Sequence, residues 1–239
     1  MNMKVRLRET DSPLNKLPRY RSSLNEIGRA RVSADGTLRD GEDAQHSVGA
    51  TDRNYLVAEG FLNAATCDAL CAAFRVLSAR IVNRISGFWD GRFLWHSDLS
   101  EGYPHLVEQM RNAQRSAAEL VADFYGLTRP IFPDLLQLMS WPVGIHMPPH
   151  ADNANPDGSP HPMAHRDFSG ILYLNDDYEG GELYFTALNT VIEPKKGMLV
   201  AFTAGFYHEH AVLRVERNQR LTMPFFFTFD RGRADPSLL

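Results

Sequence analysis

Three regimes of apolar spacing divide the chain. From Asn63 to about residue 80, Cys67, Leu70, Cys71, Phe74 and Leu77 recur at helical intervals. Asn63 precedes them as a helix-capping residue, since its side-chain oxygen can accept an unpaired first-turn N–H. A longer stripe of Leu106, Met110, Ala113, Ala117, Leu120, Val121 and Phe124 runs between Tyr103-Pro104 and Gly126. Proline suits a first helical turn and glycine the position just past the last, so the pattern predicts helices over 63–80 and 104–125. Both stripes read as core-facing.

After Gly126 the period shortens to two. Candidate strands are Leu135–Trp141, Ser169–Leu174, Glu182–Phe185, Met198–Phe202, Ala211–Val215 and Leu221–Phe229, with Tyr55-Leu56-Val57 as a short earlier one. Turn chemistry separates them at Pro142-Val143-Gly144, Asn175-Asp176-Asp177, Gly180-Gly181, Lys195-Lys196-Gly197 and Arg217-Asn218-Gln219. Pro224 has no N–H to give a ladder, so it belongs at an edge or bulge. Helices at the front and short strands behind them predict an α+β chain built on a β-sandwich or small barrel.

Residues 1–52 differ from the rest. They are rich in Arg, Asp, Ser and Gly and carry no sustained apolar period. They read as a polar N-terminal arm, either mobile or folded as a lid, ahead of one domain over 53–239. No internal repeat is visible.

Bulk composition narrows the class. The chain has 239 residues, 44% of them hydrophobic and 23% charged, which suits one soluble domain with a full core. A net charge of −4 argues against nucleic acid. No apolar run approaches the roughly 20 residues of a membrane span, and the basic start lacks the apolar stretch of a secretory signal. The two cysteines share a helical face but cannot alone complete a zinc site. They read as small core residues, with a reducing, cytoplasmic setting as the default.

Six of the nine histidines fall between residues 146 and 210. In extended chain, positions i and i+2 project to one side, so His150 and Asp152 can point together. Two imidazoles and one carboxylate can cap one face of an octahedral metal and leave the opposite face open, as in non-haem Fe(II) oxygenases. His208 and His210 compete for the third place, because they too share a face. Arg220 then offers a planar fork of donors to a carboxylate. His161 and His165 read as loop histidines. Asn153, Asn155, Arg214, Arg217 and the aromatic run Phe88-Trp89 with Phe93-Leu94-Trp95 could each frame a substrate pocket.

An ordered set of motifs then gives a resemblance. It comprises His150-Ala151-Asp152-Asn153, the run Arg166–Asp177, Glu179-Gly180-Gly181-Glu182 with Phe185, Pro194-x-x-Gly197, and His210 followed at +5 by Val215 and at +10 by Arg220. Across most of residues 54–230 the chain resembles the 2-oxoglutarate- and Fe(II)-dependent prolyl hydroxylases, most of all the prolyl 3-hydroxylase (leprecan) branch. The resemblance implies a double-stranded β-helix (jelly-roll) core from about residue 131. It also implies Fe(II) held by His150, Asp152 and His210, with the +10 spacing choosing His210 over His208. Arg220 would hold the far carboxylate of 2-oxoglutarate, and O2 would be consumed. Oxoglutarate would leave as succinate and CO2 as an unactivated C–H bond is hydroxylated.

Departures from the pattern are informative. Asn218 replaces a usual glycine, which is mild because asparagine tolerates left-handed turns. Trp141 stands where the family often has tyrosine, and indole donates but does not accept. Tyr173 is the candidate to make up that contact to the co-substrate. With Asp152 present, the open halide position of related halogenases is absent.

The substrate expected on this reading is a free or carrier-tethered amino acid, proline-like, because so short a chain lacks the extra domains of large collagen-modifying enzymes. A peptidyl-prolyl hydroxylase is the alternative. A jelly-roll metal protein without oxygenase activity is a third, and it would not need Arg220.

Overall fold

A computed structural model describes residues 23–39, 45–47, 55–78 and 87–239. In chain order these form α1 (Ser23–Arg31), β1 (Gln45–Ser47), β2 (Leu56–Ala58), α2 (Ala64–Ser78), β3 (Phe93–Trp95), α3 (His96–Leu99) and α4 (Pro104–Tyr125). Then follow β4 (Phe132–Pro133), β5 (Gln137–Trp141), β6 (Met147–His150), β7 (Phe168–Tyr173), β8 (Glu179–Gly180) and β9 (Leu183–Phe185). The last are β10 (Thr190–Ile192), β11 (Leu199–Thr203), β12 (His210–Val212), β13 (Val215–Arg217) and β14 (Arg220–Thr228).

Two sheets carry the architecture. One runs β2-β11-β7-β14-β5-β3, with β4 also pairing β14, and the other β1-β10-β9-β12-β6. Among the described residues only the β1–β10 pair is parallel. Tyr173, Val200 and Phe202 of the first sheet pack with Leu183, Phe185 and Ile192 of the second, so the two sheets share a core. The other face of the larger sheet is closed by α2 and α4, whose Phe74, Met110, Ala117 and Val121 meet Leu172, Leu199, Met223 and Phe225. These are the two packed layers and helical cover of the jelly-roll fold.

Strand parity decides which residues reach the interior between the sheets. Along β14, Leu221, Met223, Phe225 and Phe227 lie under the helices, whereas Arg220, Thr222, Pro224 and Phe226 line a cavity on the other side. Along β5 the helix-side residue is Leu138, while Gln137, Met139 and Trp141 face the cavity. A one-residue slip would exchange the two sets, so burial of the helix side fixes the register that presents Arg220.

The helices follow the apolar stripes with small adjustments. Asn63 Oδ1 accepts from Thr66 N at 2.9 Å, the N-cap that its position predicts. Gly126 ends α4 with φ 64°. Tyr125 rather than Leu120 completes the buried stripe, since Leu120 lies on the exposed side. Cys67 and Cys71 are unpaired and buried, and burial pushes both thiols up to about 11.

Two expectations are corrected. Pro224 is not in an edge strand: β14 lies between β7 and β5. It faces the gap where β5 pairing has stopped at Thr222 and β4 pairing has not begun at Phe227, so no donor is missed on that side. The expected strand Ala211–Val215 is two strands, β12 and β13, in different sheets. Of the expected polar arm over 1–52, residues 1–22, 40–44 and 48–52 lie outside the described residues, and the described ones pack on the smaller sheet. Val32 and Leu38 meet Tyr184, Val191 and Leu213 there, and none of the described arm residues lines the cavity.

Gly197 closes the turn into β11 with φ +77°, and a Cβ there would stand 2.1 Å from Leu62 O. Gly197→Ala should therefore cost about 2–4 kcal/mol, from left-handed strain and overpacking together. Urea unfolding measures this, and a loss below about 1 kcal/mol would mean that the Leu62 loop moves aside at little cost.

Candidate active site

The ends of two adjacent strands build the centre. Register places His210, the first residue of β12, opposite His150, the last of β6, and their ring centroids are 4.4 Å apart. Asp152 follows two residues later, its N–H held by Ala204 O at 2.9 Å. One ligand atom from each of His150, Asp152 and His210 lies within 4.8 Å of the others. Nε2 of His150 is 3.6 Å from Asp152 Oδ1, and Nε2 of His210 is 3.9 Å from Oδ2.

Outer contacts orient all three groups. His150 Nδ1 meets Pro148 O at 2.9 Å and His210 Nδ1 meets His208 O at 2.9 Å. A carbonyl only accepts, so each Nδ1 carries the hydrogen, and in the neutral ring each Nε2 keeps its lone pair toward the shared space. Ser169 Oγ donates to Asp152 Oδ2 at 2.6 Å. Burial opposes the Asp152 charge, but His210, His150 and Ser169 hold its carboxyl well below the usual range. Burial, aided by His150, pushes His210 down to about 4, leaving a neutral imidazole at neutral pH. For His150 burial acts downward as well, yet the Asp152 contact outweighs it and raises the value. An ionised carboxylate with two aimed lone pairs is a donor set for a divalent cation of imidazole-and-oxygen preference.

His208 is separated from this set by its own bonding. Its Nδ1 is engaged by Thr203 Oγ1 at 2.7 Å and Thr203 N at 3.2 Å, so parity did not distinguish what hydrogen bonding does.

The three groups open into a cavity of about 460 Å³ that Arg220 also lines. Arg220 is 1% exposed, and its Nε and Nη2 have no hydrogen-bond partner among the described residues. Unmet charged donors are costly, at about 1–3 kcal/mol each or more, and an anion in the cavity could satisfy them. The guanidinium stacks 5.1 Å from the Trp141 ring and 5.2 Å from the Tyr173 ring. Trp141 Nε1 and the Tyr173 hydroxyl are likewise buried without a partner. Burial pushes the Tyr173 phenol up, and the Arg220 charge pulls it back. The left-handed turn before Arg220 is made by Asn218 at φ 61°, the geometry that asparagine tolerates.

Two residues beside Arg220 escape sequence reasoning. Tyr178, 9% exposed, brings a second buried hydroxyl to the guanidinium's surroundings. Arg92 also stacks on Trp141, 4.4 Å from its ring, so one indole meets two cations. Burial first, and then Arg220, lowers Arg92 to about 10. Neither lies in a motif, and no spacing points to them.

The aromatic run does reach the cavity, through Trp89, Phe93 and Trp95, and so does His161 from the loop after the first two triad members. His161 is a loop histidine, as expected, and it lines the cavity as well. Asn153 instead bonds Arg166 O, Asn155 bonds within its loop, and Arg214 and Arg217 lie outside the cavity.

Comparison with known proteins agrees with this geometry. Residues 136–228 match the family model described as the 2OG-Fe(II) oxygenase superfamily. Human prolyl 3-hydroxylase 3 is 39% identical over 99 residues, covering 36% of this chain and 14% of that protein. The chain thus matches about a seventh of the length of that curated relative. Among solved structures, a collagen prolyl hydroxylase from Paramecium bursaria Chlorella virus-1, in complex with 2OG, aligns with a TM-score of 0.57 at 20% identity. That alignment covers 74% of this chain and 96% of the viral one. A Trichoplax adhaerens prolyl hydroxylase bound to a hypoxia-inducible-factor peptide aligns at 0.55 and 15% identity, over 95% and 96% of the two chains. At such identities the structural matches establish the shared fold.

Proposed function

We propose that this chain is an Fe(II)- and 2-oxoglutarate-dependent hydroxylase of peptidyl proline, a reading supported by the match of residues 136–228 to the 2OG-Fe(II) oxygenase superfamily and by the likeness to prolyl 3-hydroxylases. The observation that carries the reading is one cavity lined both by the His150–Asp152–His210 cluster and by a buried guanidinium with unmet donors.

In this reading His150 Nε2, Asp152 and His210 Nε2 hold Fe(II). When bound, the iron with oxoglutarate and O2 supplies the oxidising power for C–H hydroxylation. The chain's own residues do the rest. Arg220 receives the distal carboxylate of oxoglutarate in its fork, and the Tyr173 and Tyr178 hydroxyls and Trp141 Nε1 offer further donors. Ser169 keeps Asp152 turned to the metal. Met139, Trp141, Ile171 and Phe202 keep water from the reacting centre. Trp89, Phe93 and Trp95 form an apolar aromatic wall against which a pyrrolidine ring can pack.

A free or carrier-tethered amino acid was the expectation from chain length. The peptidyl alternative is better supported, by the naming of the curated relatives and by a peptide bound in one structural neighbour. Cytoplasmic location, read from the two unpaired cysteines, belongs to the same proposal. No helix among the described residues is long and apolar enough to cross a membrane.

The test is succinate release with Fe(II) and oxoglutarate, run in parallel on prolyl peptides and free amino acids, with hydroxylated product located by mass spectrometry. Peptide-dependent turnover with a 16 Da gain on proline is expected. Turnover on free proline alone would return the substrate to a small molecule. Oxoglutarate left unconsumed in every mixture would favour a metal-binding jelly-roll without oxygenase activity.

A further inference from the structure

The first described helix lies outside the matched family segment, yet it grips the turn that leads into His210. Asn25, fully buried, donates from Nδ2 to Phe206 O at 2.9 Å. One turn later Arg29 Nε reaches both carboxylate oxygens of Glu209, at 2.8 and 2.7 Å, and its Nη2 closes the fork. Thr186 Oγ1 joins the same group, 2.9 Å from Glu209 Oε2 and 3.3 Å from Asn25 Oδ1. Contact is close enough that a Cβ on Gly28 would fall 2.3 Å from Thr186 O, so only glycine lets α1 sit this deep. Glu209 is 0% exposed, so its charge depends on Arg29 for compensation.

What this cluster holds is specific. Phe206–Glu209 is a tight turn, with Glu209 N donating to Phe206 O at 3.2 Å. Within it, His208 O is the acceptor that fixes the His210 ring through Nδ1. The α1 residues grip the turn on both sides of that carbonyl, at Phe206 O and at the Glu209 side chain. Movement of the turn would rotate His210 and misdirect Nε2 from Asp152. A supporting shell 1 Å loose is enough to spoil a metal or catalytic geometry.

We propose that α1 is a brace for the metal centre, with Arg29 and Asn25 as positioning residues that act on His210 through the Phe206–Glu209 turn. The proposal rests on the His150–Asp152–His210 reading and assigns the described part of the N-terminal segment a role behind the site, away from the cavity.

Co(II) binding to the full chain, followed by visible absorption and by calorimetry, tests it without any turnover. Arg29→Ala and Asn25→Ala should weaken Co(II) binding by about tenfold and about threefold, respectively, and alter the d–d spectrum, because ligand geometry changes. Arg29→Lys keeps the charge opposite Glu209 and should recover most of the affinity. A merely structural role would lower the melting temperature and leave affinity and spectrum as in the wild type, and that result overturns the proposal. If Arg29→Ala does not fold, Asn25→Ala decides: unchanged affinity and spectrum in that variant refute the brace. A wild-type chain that binds no Co(II) would instead refute the triad reading beneath it.

Discussion

Asp152→Ala is expected to abolish metal-dependent oxoglutarate consumption while leaving the fold intact. The carboxylate is the only anionic member of the cluster, and both imidazole Nε2 atoms are turned to it. Removing one partner of a buried charged set costs about 3–5 kcal/mol, or between about 10² and 10⁴ in metal affinity. The fold should survive because Asp152 is itself a buried charge, supported only by Ser169 and two histidines when no cation is present. Its loss also removes a desolvation cost. The measurement is thermal melting with and without Mn(II) and oxoglutarate. Wild type should melt higher with the ligands, by mass action, and the variant should not. Asp152→Asn, which keeps the volume and a contact for Ser169, should behave the same way. A ligand-dependent shift of wild-type size in either variant would remove Asp152 from the site.

The triad was legible because its chemistry lies in short-range spacing, whereas its surroundings depend on packing between distant segments. Extended chain puts His150 and Asp152 on one side whatever the rest does, and the same parity left His208 and His210 equivalent. Only the pairing of His210 with His150 across β6 and β12, and the engagement of His208 by Thr203, separates them physically. Arg220 was legible as a residue at a fixed interval, and Asn218 as the turn before it. Tyr178 and Arg92 were not, since what brings them to Arg220 is the docking of β5 beside β14 and the path of the chain before β8. The same holds for Arg29 and Glu209, 180 positions apart. Among strands, β10 is three residues long, too short to show alternation, and β6 carries Pro148 and Pro149, which argue against a strand. The prolines are tolerated because β6 is the edge of its sheet.

Arg220→Met should raise the KM for oxoglutarate by about 10²-fold and at the same time leave the unliganded protein as stable as wild type, or more so. Two opposed consequences follow from one fact, that Nε and Nη2 are buried without partners. Toward a dicarboxylate they are two charged donors in a water-poor site, each worth ~1.5–3 kcal/mol when a carboxylate accepts them. A 10²-fold change corresponds to ~2.8 kcal/mol, within that range even after the loss of one donor is partly offset by Tyr173 and Tyr178. In the empty protein the same donors are a liability, relieved in part by the faces of Trp141 and Tyr173 and by the nearby Tyr173 and Tyr178 hydroxyls. Methionine fills similar volume without the charge, so the strain disappears with the function. Arg220→Lys keeps the charge but not the planar fork, and should lie between the two with a rise of about tenfold. Steady-state kinetics at varied oxoglutarate, set beside melting of the ligand-free variants, read both sides. An unchanged KM in Arg220→Met would mean that the carboxylate is taken elsewhere, with Arg92 against the same indole as the next cation. A large fall in ligand-free stability would mean that the guanidinium holds the fold and was never reserved for a ligand.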